Sequence, residues 1–152
     1  MTKFYFIFLA FVLANCQSNN SNSSQSIENE INVVFNLEST GCMGKCPVYK
    51  LSITKDKSLI FEGMENTNVS GKKSKILTDQ EYIEIIGLID EVNWGKLKSR
   101  YESKMNDLPS YSFIYNTDES SFKVFQYGSD PQELTDMRKK LLSKVDNPNF
   151  LN

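Results

Sequence analysis

The residues with the clearest chemical potential are two cysteines in a short loop that also contains glycines. Cys42 and Cys46 form a Cys-x-x-x-Cys pattern, with Gly41 and Gly44 beside them and Pro47 directly after. Thiols in such a pair can ligate zinc, hold part of an iron–sulfur cluster, exchange electrons with a dithiol or close a structural disulfide. The residues around the pair favour one of these chemistries over the others.

The chain contains no histidine, and this limits the chemistry of the cysteine pair. A four-ligand zinc site would lack two ligands, because the loop contains no acidic residue either. A radical-type iron–sulfur cluster would lack a third nearby cysteine. Because the chain has no histidine, catalytic Ser-His-Asp and Cys-His systems are also excluded. We therefore predict no metal site, no cofactor and no catalytic residue of these classes.

A structural disulfide is the expected state of the pair. A thioredoxin-like site uses Cys-x-x-Cys at the start of a helix, whereas Cys46 is followed by Pro47 and an alternating strand pattern. Lys45 is the only cation inside the ring that could lower a thiol pKa. We predict that Cys42 and Cys46 form a disulfide that shapes the loop. A thiol–disulfide protein that uses the same pair is an alternative.

Three residues around this loop are predicted to contribute to an interaction surface: Met43 and Lys45 inside the loop, and Asp107 in a later turn. Adjacent carboxylates elsewhere, such as Asp118 and Glu119, lie in patterns typical of solvated turns and helix ends. These patterns favour a protein that is not an enzyme over one that uses paired carboxylates for catalysis. An enzyme that uses carboxylates on an envelope glycan is a further alternative.

The N-terminus predicts export from the cytoplasm. Lys3 precedes an uninterrupted apolar run from Phe4 to Ala14, which is shorter than the roughly 20 residues of a membrane span and is typical of a signal peptide. The run ends before Cys16 in a pattern that resembles a lipobox, although Asn15 departs from it. We predict a signal peptide over residues 1–15 and a lipid on Cys16. Cleavage after Ala14, which would give a secreted soluble protein, is the alternative.

A polar tether separates this anchor from the folded part. Residues 17–26 are only Ser, Asn and Gln, so residues 16–30 are predicted to be a lipidated cysteine with a disordered tether. The first acidic residue is Glu28, which favours a periplasm-facing location over the cell surface. The net charge of −2 offers no basic footprint for nucleic acid. The expected partners are the membrane, through the lipid, and an envelope protein or polymer.

The periodicity predicts one α+β domain over residues 31–147 and a tail over residues 148–152. Alternating apolar patterns predict strands at 31–37, 49–54, 59–62, 110–116 and 121–127, with a short additional strand around 68–70. Thr78 and Glu81 predict a capping box for one helix, and Asp130 with Pro131 predicts the start of a second. The expected fold is an antiparallel sheet of about five to six strands with two helices on one face.

The pattern Thr40-Gly41-Cys42-x-Gly44-x-Cys46-Pro47-x-Tyr49 resembles a domain-of-unknown-function family of envelope lipoproteins in gram-negative bacteria. The later Asp107-Leu108-Pro109 turn with its hairpin is similar to a second motif of that family. The resemblance covers residues 38–145, and Lys57-Ser58 departs from it where the family turns on Asp-Gly. It implies no activity. We therefore expect an uncharacterised lipid-anchored envelope protein that acts as a non-catalytic binding or structural module.

Overall fold

Residues 32–152, the part of the chain that the computed structural model describes, fold around one seven-stranded sheet. The strands are β1 Val33–Ser39, β2 Val48–Thr54, β3 Ser58–Glu65, β4 Gly71–Ile76, β5 Arg100–Tyr101, β6 Ser110–Asn116 and β7 Ser121–Tyr127. Their order across the sheet is β4-β3-β2-β1-β6-β7-β5. Neighbouring strands are antiparallel except β5 and β7, which are parallel. The predicted signal peptide, Cys16 and the tether lie outside the described residues.

The two faces of the sheet differ in burial. On β1, Phe35 and Leu37 are fully buried, whereas Asn36 between them is partly exposed. The register extends this division sideways, because Leu37 pairs with Leu51 on β2 and with Phe113 on β6, both of which are buried. Successive side chains of a strand point to opposite faces. One face therefore carries the apolar core, and we call the other the open face.

Both long helices pack against the core face. The helices are α1 Asp79–Asp90, α2 Gln132–Val145 and the short α3 Pro148–Leu151. Tyr115 on β6 donates a hydroxyl hydrogen bond to Asp90 at the end of α1. Gln126 on β7 donates a hydrogen bond to Thr135 of α2 at 3.0 Å. Tyr115 and Gln126 are both buried on the core face, so the predicted α+β fold with two helices on one face is confirmed.

Helix α1 begins with the predicted capping box. The Glu81 backbone N–H donates to Thr78 Oγ1 at 3.2 Å, and the Thr78 backbone N–H donates to Glu81 Oε2 at 2.9 Å. Lys75 Nζ lies 2.7 Å from Glu81 Oε1, which joins β4 to the first turn of the helix. The two bonds between Thr78 and Glu81 satisfy two backbone donors at the start of the helix. The predicted capping box is therefore confirmed.

The predicted strand around residues 68–70 is wrong. The backbone amides of Asn68 and Val69 instead donate to the Asp146 carboxylate at 2.9 and 2.7 Å. These donors are not available for sheet pairing, and β4 begins only at Gly71. The two-residue strand β5 is not among the strands that the sequence predicts. With β5 the sheet has seven strands, slightly more than the expected five to six.

The predicted capping of α2 by Asp130 is also wrong. Pro131 occupies the N-cap position in an extended conformation, with φ −76° and ψ 151°, and makes no side-chain cap bond. The helix therefore begins at Gln132. The Thr135 hydroxyl in its first turn donates to the Ser129 carbonyl at 2.6 Å, and this bond holds the chain that leads into the helix.

Two short helical segments complete the described region. Trp94 begins a 3-10 helix, Trp94–Lys96, and donates its indole N–H to the Ile89 carbonyl at 2.8 Å. The residues that the sequence assigns to a C-terminal tail include α3, in which Leu151 is buried. Within residues 32–152, no helix has both the length and the apolar character needed to cross a bilayer.

Candidate functional site

The cysteine loop, residues 40–47, connects β1 to β2 and is closed by a disulfide. Cys42 and Cys46 are bonded, with their Cα atoms 5.7 Å apart, as predicted. The Gly44 backbone N–H donates to Cys42 Sγ at 3.2 Å, and the Ser39 hydroxyl donates to the Pro47 carbonyl. Bonds inside the ring and at its exit therefore limit the movement of the loop.

A second loop, residues 102–109, lies directly against the first. The Met43 backbone N–H donates to the Asp107 carbonyl at 3.3 Å, and the Thr40 backbone N–H donates to the Ser110 carbonyl at 2.9 Å. The Ser110 backbone N–H in turn donates to Thr40 Oγ1 at 3.1 Å. Thr40 and Ser110 are 70 residues apart in sequence. The fold thus joins the two motifs into one surface, which we call the cysteine pole.

The three residues predicted for an interaction surface are all exposed at the cysteine pole. Met43 is 85% exposed, and Lys45 and Asp107 are exposed as well. Met105, in the second loop, is 64% exposed and was not among the predicted residues. Methionine side chains are flexible and polarisable, so they adapt well to irregular contacts. The pole therefore combines a fixed backbone with adaptable side chains.

The second loop rests on the end of β7. The Leu108 backbone N–H donates to the Tyr127 hydroxyl at 3.2 Å, and the Gly128 backbone N–H donates to the Pro109 carbonyl at 3.0 Å. Gly128 has a φ of +91°, and a Cβ there would lie 3.0 Å from Leu108 Cδ1. A side chain at this position would be strained by the backbone conformation and would crowd the loop. Glycine allows the close approach.

A buried arginine lies beneath the cysteine pole. Arg138 of α2 is only 9% exposed, and its guanidinium carbon is 3.7 Å from the Tyr111 ring centroid. Burial raises the pKa of Tyr49, and the nearby Arg138 guanidinium opposes that increase. Tyr49 lies on β2 and Tyr111 on β6, close to where each strand leaves its loop. The guanidinium of Arg138 therefore stacks on β6 and lies near β2, the two strands that follow the loops.

The sequence analysis missed Arg138, although a signal for it exists. Arg138 follows Leu134 by four residues and precedes Leu141 by three, which places it on the buried stripe of α2. A long cation inside an apolar stripe is uncommon unless it is paired or stacked. In this case the guanidinium stacks on an aromatic ring, which is a favourable cation–π arrangement. When the buried face of a helix is identified from its apolar residues alone, such an arginine is overlooked.

Changing both Cys42 and Cys46 to serine should leave the domain folded. The free energy of unfolding should fall by about 2 kcal/mol or less, because a short ring restricts the unfolded chain only slightly. The bonds from Ser39 and Thr40 should keep most of the loop in place. Urea denaturation of the full chain, with and without a reductant for the unchanged protein, measures this loss. A variant that is unfolded, or a loss well above 3 kcal/mol, would contradict the role assigned to the disulfide.

Among the described residues, the carboxylates with a clearly shifted pKa lie away from the cysteine pole. Elsewhere on the surface, Lys57 lowers the pKa of Asp79, Lys55 lowers that of Asp118, and Lys144 lowers that of Glu84. A general acid at neutral pH needs a raised pKa instead. Among residues 32–152, no group of three His, Cys, Asp or Glu side chains could hold a metal ion.

The comparisons with known proteins give a family match. The family model described as Domain of unknown function (DUF6438) matches residues 33–144. No curated protein and no solved structure matches the chain. The matched range begins with β1, ends in the last turn of α2, and includes both loops of the cysteine pole and Arg138. The chain belongs to the DUF6438 family of domains of unknown function.

Proposed function

We propose that this protein is a lipid-anchored, non-catalytic module of the cell envelope that binds a partner protein through the cysteine pole. The observation that carries the proposal is the hydrogen-bonded contact between the two loops, Met43 to Asp107 and Thr40 to Ser110. This contact presents the exposed Met43 on a backbone that is already ordered. A preordered surface loses less conformational entropy on binding than a flexible loop does.

The position of the tether supports the same assignment. The chain enters the described domain at the start of β1, and the cysteine pole lies at the other end of that seven-residue strand. A strand of this length spans about 20 Å. A lipid on Cys16 would therefore hold the domain by the end opposite to the pole, which leaves the pole free to reach a partner away from the membrane.

Two other functions remain less well supported by the geometry. For a thiol–disulfide protein, Cys46 would benefit from a helix N-terminus that lowers its pKa, but it precedes strand β2 instead. For a glycan-cleaving enzyme, two carboxylates should face each other across a cleft. The open-face depression described below is lined by amide, hydroxyl, amine and apolar side chains and by no carboxylate. A larger depression, of about 380 Å³, is lined by one carboxylate, Asp118, and not by a facing pair. A binding function of the cysteine pole accounts for the contacts between its two loops, which neither alternative function requires.

The anchoring part of the proposal predicts that Cys16→Ser releases the protein from membranes. Without the thiol no lipid can be attached, so the variant should move into the soluble fraction of lysed cells. The double Cys42→Ser, Cys46→Ser variant is the matched control, since it removes thiols but should stay in the membrane fraction. Unchanged membrane association of Cys16→Ser, or a mature N-terminus at Asn15, would show that the protein is not anchored in this way.

The binding part predicts that Met43→Glu weakens association with the partner by at least about fivefold, as expected when a central apolar contact is lost. The measurement is recovery of the crosslinked partner from native envelopes, with the partner identified by mass spectrometry. Ile83→Glu is the control, because Ile83 is 64% exposed but lies on α1. Equal recovery with both variants, or an equal loss with both, would argue against the cysteine pole as the binding surface.

A further inference from the structure

The open face of the sheet contains a depression that is separate from the cysteine pole. Its volume is about 280 Å³, just below the roughly 300 Å³ at which the range for small-molecule sites begins. Its lining includes Asn36, Ser52, Ile114 and Lys123. These four lie side by side on β2, β1, β6 and β7, because Asn36 pairs with both Ser52 and Ile114, and Ile114 pairs with Lys123. The depression is therefore built on strands and not on loops.

The polar side chains of this depression are held in fixed orientations. The Ser52 hydroxyl donates to Asn36 Oδ1 at 2.8 Å, and the Ser121 hydroxyl donates to Asn116 Oδ1 at 2.7 Å. Asn116 Nδ2 also donates to the Val33 carbonyl at 2.9 Å. These bonds leave the Asn36 amide nitrogen as a donor and both serine oxygens as acceptors for a ligand. These side chains are therefore oriented so that they can form hydrogen bonds with the hydroxyl groups of a ligand.

The remaining lining adds a charge and an apolar surface. Lys123 is exposed and forms no salt bridge with the acidic residues of the described region. Ile114, next to it, is partly exposed and apolar. An ammonium group, an amide donor, two hydroxyls and an aliphatic surface together match a ligand that has a carboxylate, several hydroxyls and one less polar ring face.

We propose that the open-face depression binds a carboxylated sugar. The carboxylate would lie against Lys123, the ring face against Ile114, and the ring hydroxyls against Asn36 and the serines. The ligand could be a free sugar acid or one unit of an acidic envelope polysaccharide, since both present the same chemistry. The site lies toward the start of β1, where Val33 contributes to the lining. It is distinct from the cysteine pole and does not depend on the function proposed for the pole.

The test is a titration of the isotope-labelled full chain in detergent micelles, followed by backbone and side-chain amide shifts. Glucuronic acid should shift the resonances of Asn36, Asn116 and their neighbours. Glucose should bind at the same place about threefold to fivefold more weakly, which is the size expected for one exposed ion pair. An oligosaccharide of galacturonic acid that binds more tightly than the single sugar would indicate a polysaccharide, and equal affinity would indicate a free sugar acid.

Lys123→Gln should reduce the affinity for glucuronic acid to that for glucose and leave glucose binding unchanged. Lys72→Gln is the matched control, because Lys72 pairs with Glu62 on the open face, at the β4 edge and outside the depression. It should bind both sugars as the unchanged protein does. Equal affinity of the unchanged protein for the two sugars, no effect of Lys123→Gln, or shifts that concentrate at the cysteine pole or fail to occur would each overturn the proposal.

Discussion

Replacing Gly63 with alanine should lower the free energy of unfolding by about 3 kcal/mol, the upper end of the usual cost of overpacking. A Cβ at Gly63 would lie 1.9 Å from the Val69 carbonyl oxygen and 2.4 Å from Thr67 Oγ1. The carbonyl belongs to the backbone, and the Val69 backbone N–H is already bound to Asp146. The segment cannot move away without losing that bond, so the clash must displace either β3 or the loop after it.

Gly87→Ala provides a control with the same chemical change and the opposite expected sign. Gly87 lies inside α1, and a Cβ there would have nothing within 4 Å. Alanine in a helix interior is more favourable than glycine by roughly 0.5–1 kcal/mol, so this variant should be slightly more stable. Urea denaturation of both variants measures the difference. If the free energy of unfolding of Gly63→Ala lies within about 0.5 kcal/mol of that of the unchanged protein, the close packing described at Gly63 is contradicted.

Asp146→Ala should also cost about 3 kcal/mol. Asp146 is 8% exposed, and its two carboxylate oxygens accept the backbone N–H groups of Asn68 and Val69. Hydrogen bonds to a charged acceptor contribute more than neutral ones. Removal of the acceptor leaves the buried Val69 amide without a partner, and the part-buried Asn68 amide also loses its bond. The same denaturation experiment detects the loss.

Asp136→Ala is the matched control for Asp146→Ala. Asp136 is exposed on α2, the helix that directly precedes Asp146, and its replacement should change stability by less than about 0.5 kcal/mol. Because Gly63 and Asp146 both act on the loop that contains Val69, the double variant should lose less than the sum of the two single losses. Similar small losses for Asp136→Ala and Asp146→Ala would contradict the anchoring role of Asp146.

Local patterns were sufficient to predict the elements that bury an apolar stripe. The alternation of Phe35, Asn36 and Leu37 predicts β1 because one face of that strand is in the core. Thr78 and Glu81 predict the start of α1 because the capping box is a contact between residues close in sequence. In each case the information lies within a few neighbouring residues. For this reason the α+β class and the arrangement of helices on one face could be predicted.

The elements that were missed depend on distant partners or lack a periodic signal. Strand β4 contains three lysines and no fully buried residue, as is common for an edge strand protected from unwanted pairing. Its sequence therefore shows no alternation. The loop before it is positioned by Asp146, which is 77 residues away from Val69 in sequence. Neither the edge position of β4 nor this carboxylate contact can be read from local sequence.

The candidate site could be predicted only in part for the same reason. The spacing of Cys42 and Cys46 is local, and the disulfide followed from it. The contact between Met43 and Asp107 depends on the pairing of β1 with β6, which brings two distant loops to one end of the sheet. The sequence suggested both residues for an interaction surface without showing that they are neighbours. The supporting role of Arg138 required the packing of α2 over Tyr111.

The most direct test of the cysteine pole as the binding surface is photo-crosslinking from single positions of the full chain in its native cells. A photoreactive side chain at Met43 should give a discrete adduct with one partner, and the same side chain at Ile83 on α1 should give none. Both positions are exposed, at 85% and 64% respectively, so exposure alone cannot explain a difference. An adduct at Ile83 and none at Met43, or no adduct at either position, would contradict the proposed function of the cysteine pole.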